Sequence, residues 1–202
     1  MKRLVLSLVV AMLLWFLMFS PQTSHLINFW FTMSCSALLL TTLAILFGGR
    51  PDIRFSLTEV AIGIALAVLL WLVFWLGDQV SQLLFSFARD QVNLIYNNKV
   101  GTNLYVLSIL LLFLIGPAEE LFWRGYVQRT LTKRFSANVA FFLTTAVYTL
   151  VHVPSMNFML IIAALVCGLV WGGMFRLFPQ HFTAIVISHA LWDAAAFVWF
   201  PF

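Results

Sequence analysis

The sequence predicts an all-α polytopic membrane protein of about seven transmembrane helices plus an interfacial amphipathic helix. Three observations carry this. The chain is 63% hydrophobic and only 9% charged, against about 25% charged for a soluble domain. Its mean hydropathy is +1.02. Uncharged runs of about 18 residues or more recur along it, the length that crosses a hydrocarbon core.

Taken in order, the expected spans are Leu4–Ser20, Leu26–Phe47, Leu57–Leu76, Leu104–Trp123, Ala137–Val153, Phe158–Phe178 and Phe182–Phe200. The breaks between them carry Pro21, Gly48-Gly49 with Pro51, Gly77, Gly101, Pro154 and Pro179, residues that punctuate helices. No small-residue cleavage site follows the first span, which is therefore expected to be retained. No internal repeat or low-complexity linker divides the chain. Residues 1–202 are expected to form one membrane domain, with N-terminal spans and an outer amphipathic segment over 1–103 and a catalytic helical core over 104–202. Between the third and fourth spans, Asp78–Asn103 mixes Leu83, Leu84, Phe87, Val92, Leu94 and Ile95 with charged residues at loosely helical spacing. An interfacial helix on the outer face fits this pattern, and a plain extracellular loop is the alternative.

Charge placement gives the orientation. With a cytoplasmic N-terminus, the inside connections hold Lys2, Arg3, Arg50, Arg54, Arg124, Arg129, Lys133, Arg134 and Arg176, and the outside ones only Arg89 and Lys99. That asymmetry is the one the positive-inside rule requires. It places the chain in the cell membrane as a multi-pass protein with its C-terminus outside. The 11 basic residues against 7 acidic form no cluster on one solvent face, which excludes nucleic acid as a partner. Cys35 and Cys167 lie inside apolar runs and read as small buried thiols, not a disulfide framework.

Ionisable residues inside spans need a reason, since each costs at least about 2.5–3.5 kcal/mol at a span centre. Glu119 and Glu120 follow the run Leu104–Ile115 directly. On a helix Glu120 and Arg124 are neighbours at i and i+4, a ready ion pair, while Glu119 points about 100° away. One carboxylate is then clamped and the other available. The alternative is that both acids mark the helix leaving the membrane among headgroups. His152 closes the fifth run one turn after Tyr148, and His189 in the seventh is followed one turn later by Asp193. The last pair fits a histidine oriented by a carboxylate, as metal ligand with its outer partner or as base with orienter. If the chain reverses near Phe135–Ser136, Glu119 and His152 each lie about 24 Å along antiparallel helices and meet at one level. The hairpin Gly125–Asn138 would then project into the cytoplasm.

A carboxylate able to activate water, two imidazoles and an arginine-held second carboxylate suit peptide or ester hydrolysis. Glu with two His is also a catalytic zinc ligand set, so Glu119, His152 and His189 are candidate ligands for Zn²⁺, with a metal-free mechanism as the alternative. No Ser or Cys nucleophile is paired with a base: Ser188 faces away from His189, and Cys167 has no basic neighbour within a turn.

The motifs Glu119-Glu120-x-x-x-Arg124, Tyr148-x-x-x-His152 and His189-x-x-x-Asp193, in this order on apolar helices, resemble the CAAX protease and bacteriocin-processing (Abi, CPBP) family of intramembrane proteases. Phe122, Trp123 and Gly125 strengthen the first match, and Gly168 with Gly172-Gly173 resembles the family's small-residue motif. The resemblance covers about Ile115–Phe197. It implies a membrane-embedded endopeptidase acting on a peptide or protein substrate in the bilayer, with a cavity open to the cytosol. It further implies that Glu119 activates the water and that His152 and His189 bind metal or the oxyanion. Glu120 and Arg124 would order the site, and Asp193 would fix His189. Asp193 stands where prenyl-processing members more often carry Asn, which favours the bacterial branch. The rival readings are a non-catalytic interaction or immunity protein of the same fold and, more distantly, a proton-coupled transporter. Outside the motifs, Glu59 is expected among headgroups, His25 and His181 in solvent, and the Trp residues mostly in interfacial belts, with Trp192 as packing.

Overall fold

The computed structural model describes residues 1–202 and is all-helical. Eight helices follow in order: α1 (Lys2–Phe19), α2 (Phe29–Gly48), α3 (Leu57–Leu84), α4 (Ala88–Asn97), α5 (Leu104–Leu131), α6 (Ala137–Leu150), α7 (Phe158–Leu177) and α8 (Phe182–Ala194), the last continued by a wider turn over Ala195–Trp199. Seven are long and apolar enough to cross a membrane, and α4 is the short amphipathic helix between the third and fourth of these. The protein is a multi-pass membrane protein.

The helix starts are written locally in the sequence. Asn28, Ser56, Asn103, Ser136 and Asn157 each accept a first-turn N–H through the side chain at the start of α2, α3, α5, α6 and α7, a cap that contributes about 1 kcal/mol. Two helices outrun their expected ends. α3 continues past Gly77 to Leu84, and at about 42 Å it is longer than the roughly 30 Å hydrocarbon core, so its last turns stand clear of lipid. α5 continues past Trp123 to Leu131. Gly125, Tyr126, Val127 and Gln128 are all buried in it, because Gln128 donates to the Gly172 carbonyl and Gly125 packs on Phe182. The expected hairpin projecting over Gly125–Asn138 is thus reduced to a short turn carrying the exposed Lys133 and Arg134.

α5 is the central helix, in contact with α2, α6 and α8, while α3 packs along α8 and α7 along α6. Small residues permit the closest approaches. A Cβ on Gly116 would fall 2.8 Å from the Ala190 backbone, so glycine there lets α5 press on α8 and brings Glu120 beside His189. Gly168 does the same for α7 against Thr145 of α6, with a Cβ contact of 3.0 Å. Gly172 lies against Phe141, and Gly173 is looser.

Charges separate by end. The end where α2, α5 and α7 finish carries Lys2, Arg3, Arg50, Arg54, Arg129, Lys133, Arg134 and Arg176, with Asp52 and Glu59 as its acids. Arg129 donates to the Gly48 and Gly49 carbonyls at 2.9 Å, closing the C-terminal end of α2. The α4 end has Arg89 and Lys99 against Asp78 and Asp90. Two sequence expectations fail at the basic end. Glu59 is buried, its Oε1 accepting from His181 Nδ1 at 2.6 Å and its Oε2 from the Ala184 N–H at 2.9 Å. It ties the start of α3 to the start of α8, so neither Glu59 nor His181 is left to headgroups or solvent. Elsewhere, Cys35 is exposed on α2, whereas Cys167 is buried.

Candidate active site

Glu119 and Glu120 sit in a regular stretch of α5, Gly116–Phe122, bracketed by wider π turns at Leu111–Ile115 and Trp123–Gln128. The first has a local cause. Pro117 has no N–H to give, and its ring crowds the carbonyl four residues back. The helix widens there, with Gly116 N–H donating to Leu111 five residues earlier. A third π turn, Ala195–Trp199, follows Asp193 in α8. Such turns gather at functional sites, and nothing in the residue pattern beyond Pro117 announces them.

Glu120 and Arg124 form the expected pair, Arg124 Nη1 donating to Glu120 Oε1 at 2.7 Å with side chains 1% and 0% exposed. The same Oε1 accepts from His189 Nδ1 at 2.7 Å. Arg124 lies over the rings of Tyr148 and Trp171, with its carbon 4.9 and 5.7 Å from their centroids. Its Nη2 donates to the Cys167 carbonyl at 3.4 Å. The His189 ring stacks on Trp171 at 3.8 Å, and Trp171 in turn donates to Ser188 Oγ. His189 is thus held in three dimensions by Glu120 and Trp171. Asp193, read from the sequence as its orienter, stands 3.5 Å from the opposite nitrogen, Nε2. The structure gives the tighter bond to Glu120 and leaves Asp193 on the cavity side.

Glu119 points away from that pair, as its position on the helix requires. Its Oε2 accepts from Tyr148 OH at 3.2 Å, and Oε1 takes no hydrogen bond from the chain. The partner at its level is therefore Tyr148 and not His152. Glu119 lies twelve residues before the end of α5 at Leu131, and Tyr148 eleven after the start of α6 at Ala137. The reversal is centred near Lys133–Arg134, two residues earlier than expected, and each residue of shift moves the antiparallel partner by two.

His152 lies one turn further on, beyond the end of α6, next to the short 3₁₀ turn Val153–Ser155. Both of its nitrogens are engaged. Nδ1–H donates to the Tyr148 carbonyl at 2.8 Å, and Nε2 accepts from Trp15 Nε1 at 3.1 Å. Phe19 and Tyr148 close round the ring. Trp15 comes from α1, and sequence reasoning missed it because 137 positions separate the partners. Trp15, Trp123 and Trp171 are all fully buried around the site, so these three are core residues and not belt residues. Trp192 is packing, against Phe74 and Trp171.

The ligand set expected for Zn²⁺, Glu119, His152 and His189, is not assembled. No three His, Cys, Asp or Glu side chains converge on one point. His152 Nε2 faces Trp15, and His189 Nδ1 faces Glu120. The donors present do not fit a zinc ion in this arrangement.

Glu119, Tyr148, His152, His189 and Asp193 do share one cavity of about 510 Å³, with 26 of its 34 lining residues hydrophobic. It extends from Glu119 and His189 toward α4, whose Val92, Ile95 and Tyr96 roof it. Asp78 borders it, accepting from Arg89 at 2.6 Å and Gln82 at 2.7 Å. Lys99 and Tyr96 donate to carbonyls of Phe197 and Ala196, fixing α4 to the end of α8. Partial burial lowers the Lys99 ammonium from its ordinary range and raises the Tyr96 phenol.

No curated protein and no solved structure gives a match to the chain. Residues 101–195, the stretch from the start of α5 to Asp193 and beyond that holds every motif of the site but Trp15, match the family model described as Rce1-like, type II CAAX prenyl endopeptidase. The chain belongs, through this stretch, to the Rce1-like family of CAAX proteases.

Proposed function

We propose that the protein is an intramembrane endopeptidase that hydrolyses a peptide bond with water activated by Glu119. The observation that carries this reading is a division of labour between adjacent carboxylates. Glu120 is saturated by Arg124 and His189 in a dry setting, while Glu119 keeps one oxygen unpaired at the wall of an apolar cavity. A carboxylate so placed takes a proton from water as the water oxygen attacks the scissile carbonyl. His189, held by Glu120 and Trp171, turns Nε2 toward Asp193 and the cavity, where an N–H stabilises the oxyanion. Tyr148 orients Glu119 through its second oxygen. Collapse of the tetrahedral species breaks the C–N bond, and the proton held by Glu119 passes to the leaving amine. His152, bonded to Trp15, shapes the wall beside Tyr148.

The substrate is an apolar peptide or protein segment in the bilayer, and Asp193 favours the bacterial, bacteriocin-processing branch over prenyl-protein processing. The orientation follows the charge asymmetry, with the basic end cytoplasmic. The test uses protein in lipid nanodiscs and a library of quenched apolar peptides, with products identified by mass in ¹⁸O-water. The expected result is cleavage with one ¹⁸O in the new carboxyl, and a loss of about 10²–10⁴-fold in Glu119→Gln, the usual contribution of a general base. Turnover is expected to survive treatment with a zinc chelator. A Glu119→Gln protein that cleaves like wild type would overturn the reading.

A further inference from the structure

The cavity and the basic residues occupy opposite ends of the molecule. From this we infer that the active site opens on the non-cytoplasmic side, and that its substrate is an apolar segment lying in the outer leaflet. The inference rests on the endopeptidase reading above and adds to it a side of the membrane.

The lining of the cavity comes from one end only. α5 contributes Leu111, Ile115 and Glu119 but nothing beyond, and α8 contributes from His189 onward. Below Glu119 the next twelve residues of α5, about 18 Å of helix, are sealed by the buried Phe122, Trp123, Tyr126 and Val127. That sealed end carries eight bases against two acids, whereas the α4 end has two of each. Both bases at the α4 end are occupied, Arg89 by Asp78 and Lys99 by the Phe197 carbonyl. Uncommitted bases such as Lys133 and Arg134 are retained in the cytoplasm and attracted to anionic lipid there, at about 1 kcal/mol each. The cytosolic opening that the sequence resemblance implies is therefore incompatible with the charge distribution in this structure: one of the two must give way.

The route in is lateral as well as outward. Val73 and Gly77 on α3, and Phe158 and Ile162 on α7, line the cavity yet are exposed on the lipid-facing surface, Val73 by 44% and Phe158 by 43%. α4 bridges the two helices from above, packing on both. An apolar chain can slide between α3 and α7 from the outer half of the bilayer and reach Glu119 without exposing its backbone to the basic face. This selects peptides already inserted in or moved across the membrane over cytosolic chain ends.

The experiment measures sidedness without needing turnover. In a Cys35→Ser background, Asn98→Cys marks the cavity roof and Lys133→Cys the basic end; both positions are exposed, and Asn98 is bonded only through its backbone carbonyl. Intact cells are treated with a membrane-impermeant maleimide. The expected result is labelling of Asn98→Cys in intact cells and of Lys133→Cys only after permeabilisation. The reverse pattern would overturn the inference and leave the endopeptidase reading standing, since that depends on Glu119→Gln. A second arm adds a quenched apolar peptide to sealed vesicles. Cleavage by right-side-out vesicles supports outward access, and cleavage confined to inverted vesicles refutes it.

Discussion

At each end of the cavity a carboxylate is held by an arginine, and the two pairs differ in their surroundings. At the floor, Glu120 and Arg124 are 0% and 1% exposed, and a third group, His189, shares the same oxygen. At the roof, Asp78 is buried, but Arg89 is 37% exposed and also reaches the Phe202 carbonyl. The contact lengths are alike, 2.7 and 2.6 Å. Distance therefore says little about what either pair is worth. In the dry floor each partner is needed to neutralise the other, and breaking the pair strands a charge among aromatic rings. At the roof water takes over from a lost partner, and the pair acts as a latch between α3, α4 and the end of the chain. One serves to fix the chemistry, the other to hold a lid of modest stability.

The sharpest way to break this contrast is at Arg124. Arg124→Ala is expected to lower unfolding stability by about 3–5 kcal/mol, the cost of leaving a buried charge unpaired, measured by denaturant unfolding in detergent micelles. The double variant Glu120→Met with Arg124→Leu should regain most of that stability, because apolar groups of similar volume replace the pair. It should still lack turnover, because His189 has lost its orienting oxygen. If the double variant cleaves peptides normally, the floor pair is structural only.

How far the sequence reaches is visible in these same residues. The spans, the caps at Asn28, Ser56, Asn103, Ser136 and Asn157, and the Glu120–Arg124 pair all follow from local spacing, because helices fix neighbours at i+3 and i+4. So does the divergence of Glu119 from Glu120. The bond from His189 to Glu120 does not, since it depends on the depth at which α5 crosses α8, set by Gly116 against Ala190. Asp193, one turn from His189, was the partner that spacing offers, and a tertiary contact displaced it. The meeting of Glu119 with Tyr148 required knowing the centre of a turn to within two residues, and Trp15 lies on a helix that no motif connects to the site. The lengthening of α3 was hidden by Asp78, a charge that reads as an end in sequence but turns inward to Arg89 in three dimensions.

Trp15 gives a test of intermediate size. Its N–H to His152 is one neutral hydrogen bond, worth about 0.5–1.5 kcal/mol. Trp15→Phe keeps most of the apolar contact and removes the donor. The expected outcome is a drop in kcat of about 2–10-fold, from the same range of energy, with KM unchanged, since the ring orients the wall beside Tyr148 and does not line the path of the substrate. An altered KM with unchanged kcat would place Trp15 in substrate binding. Unchanged values for both would make its bond to His152 incidental to the reaction.

The smallest effect is expected at the roof. Arg89→Ala leaves Asp78 with Gln82, whose Nε2 already donates to it at 2.7 Å, and with water on the side that Arg89 vacated. A partly exposed pair of this kind contributes about 0–1 kcal/mol, so the unfolding midpoint should barely move. What should change is the fastening of α4 and the Phe200–Phe202 segment to α3, because the Arg89 bond to the Phe202 carbonyl goes with it. Amide exchange over Ala88–Asn97 should rise while exchange in α5 stays as it was. A loss of several kcal/mol instead would mean that the roof is as dry as the floor, and the cavity would then be closed at both ends and open only between α3 and α7.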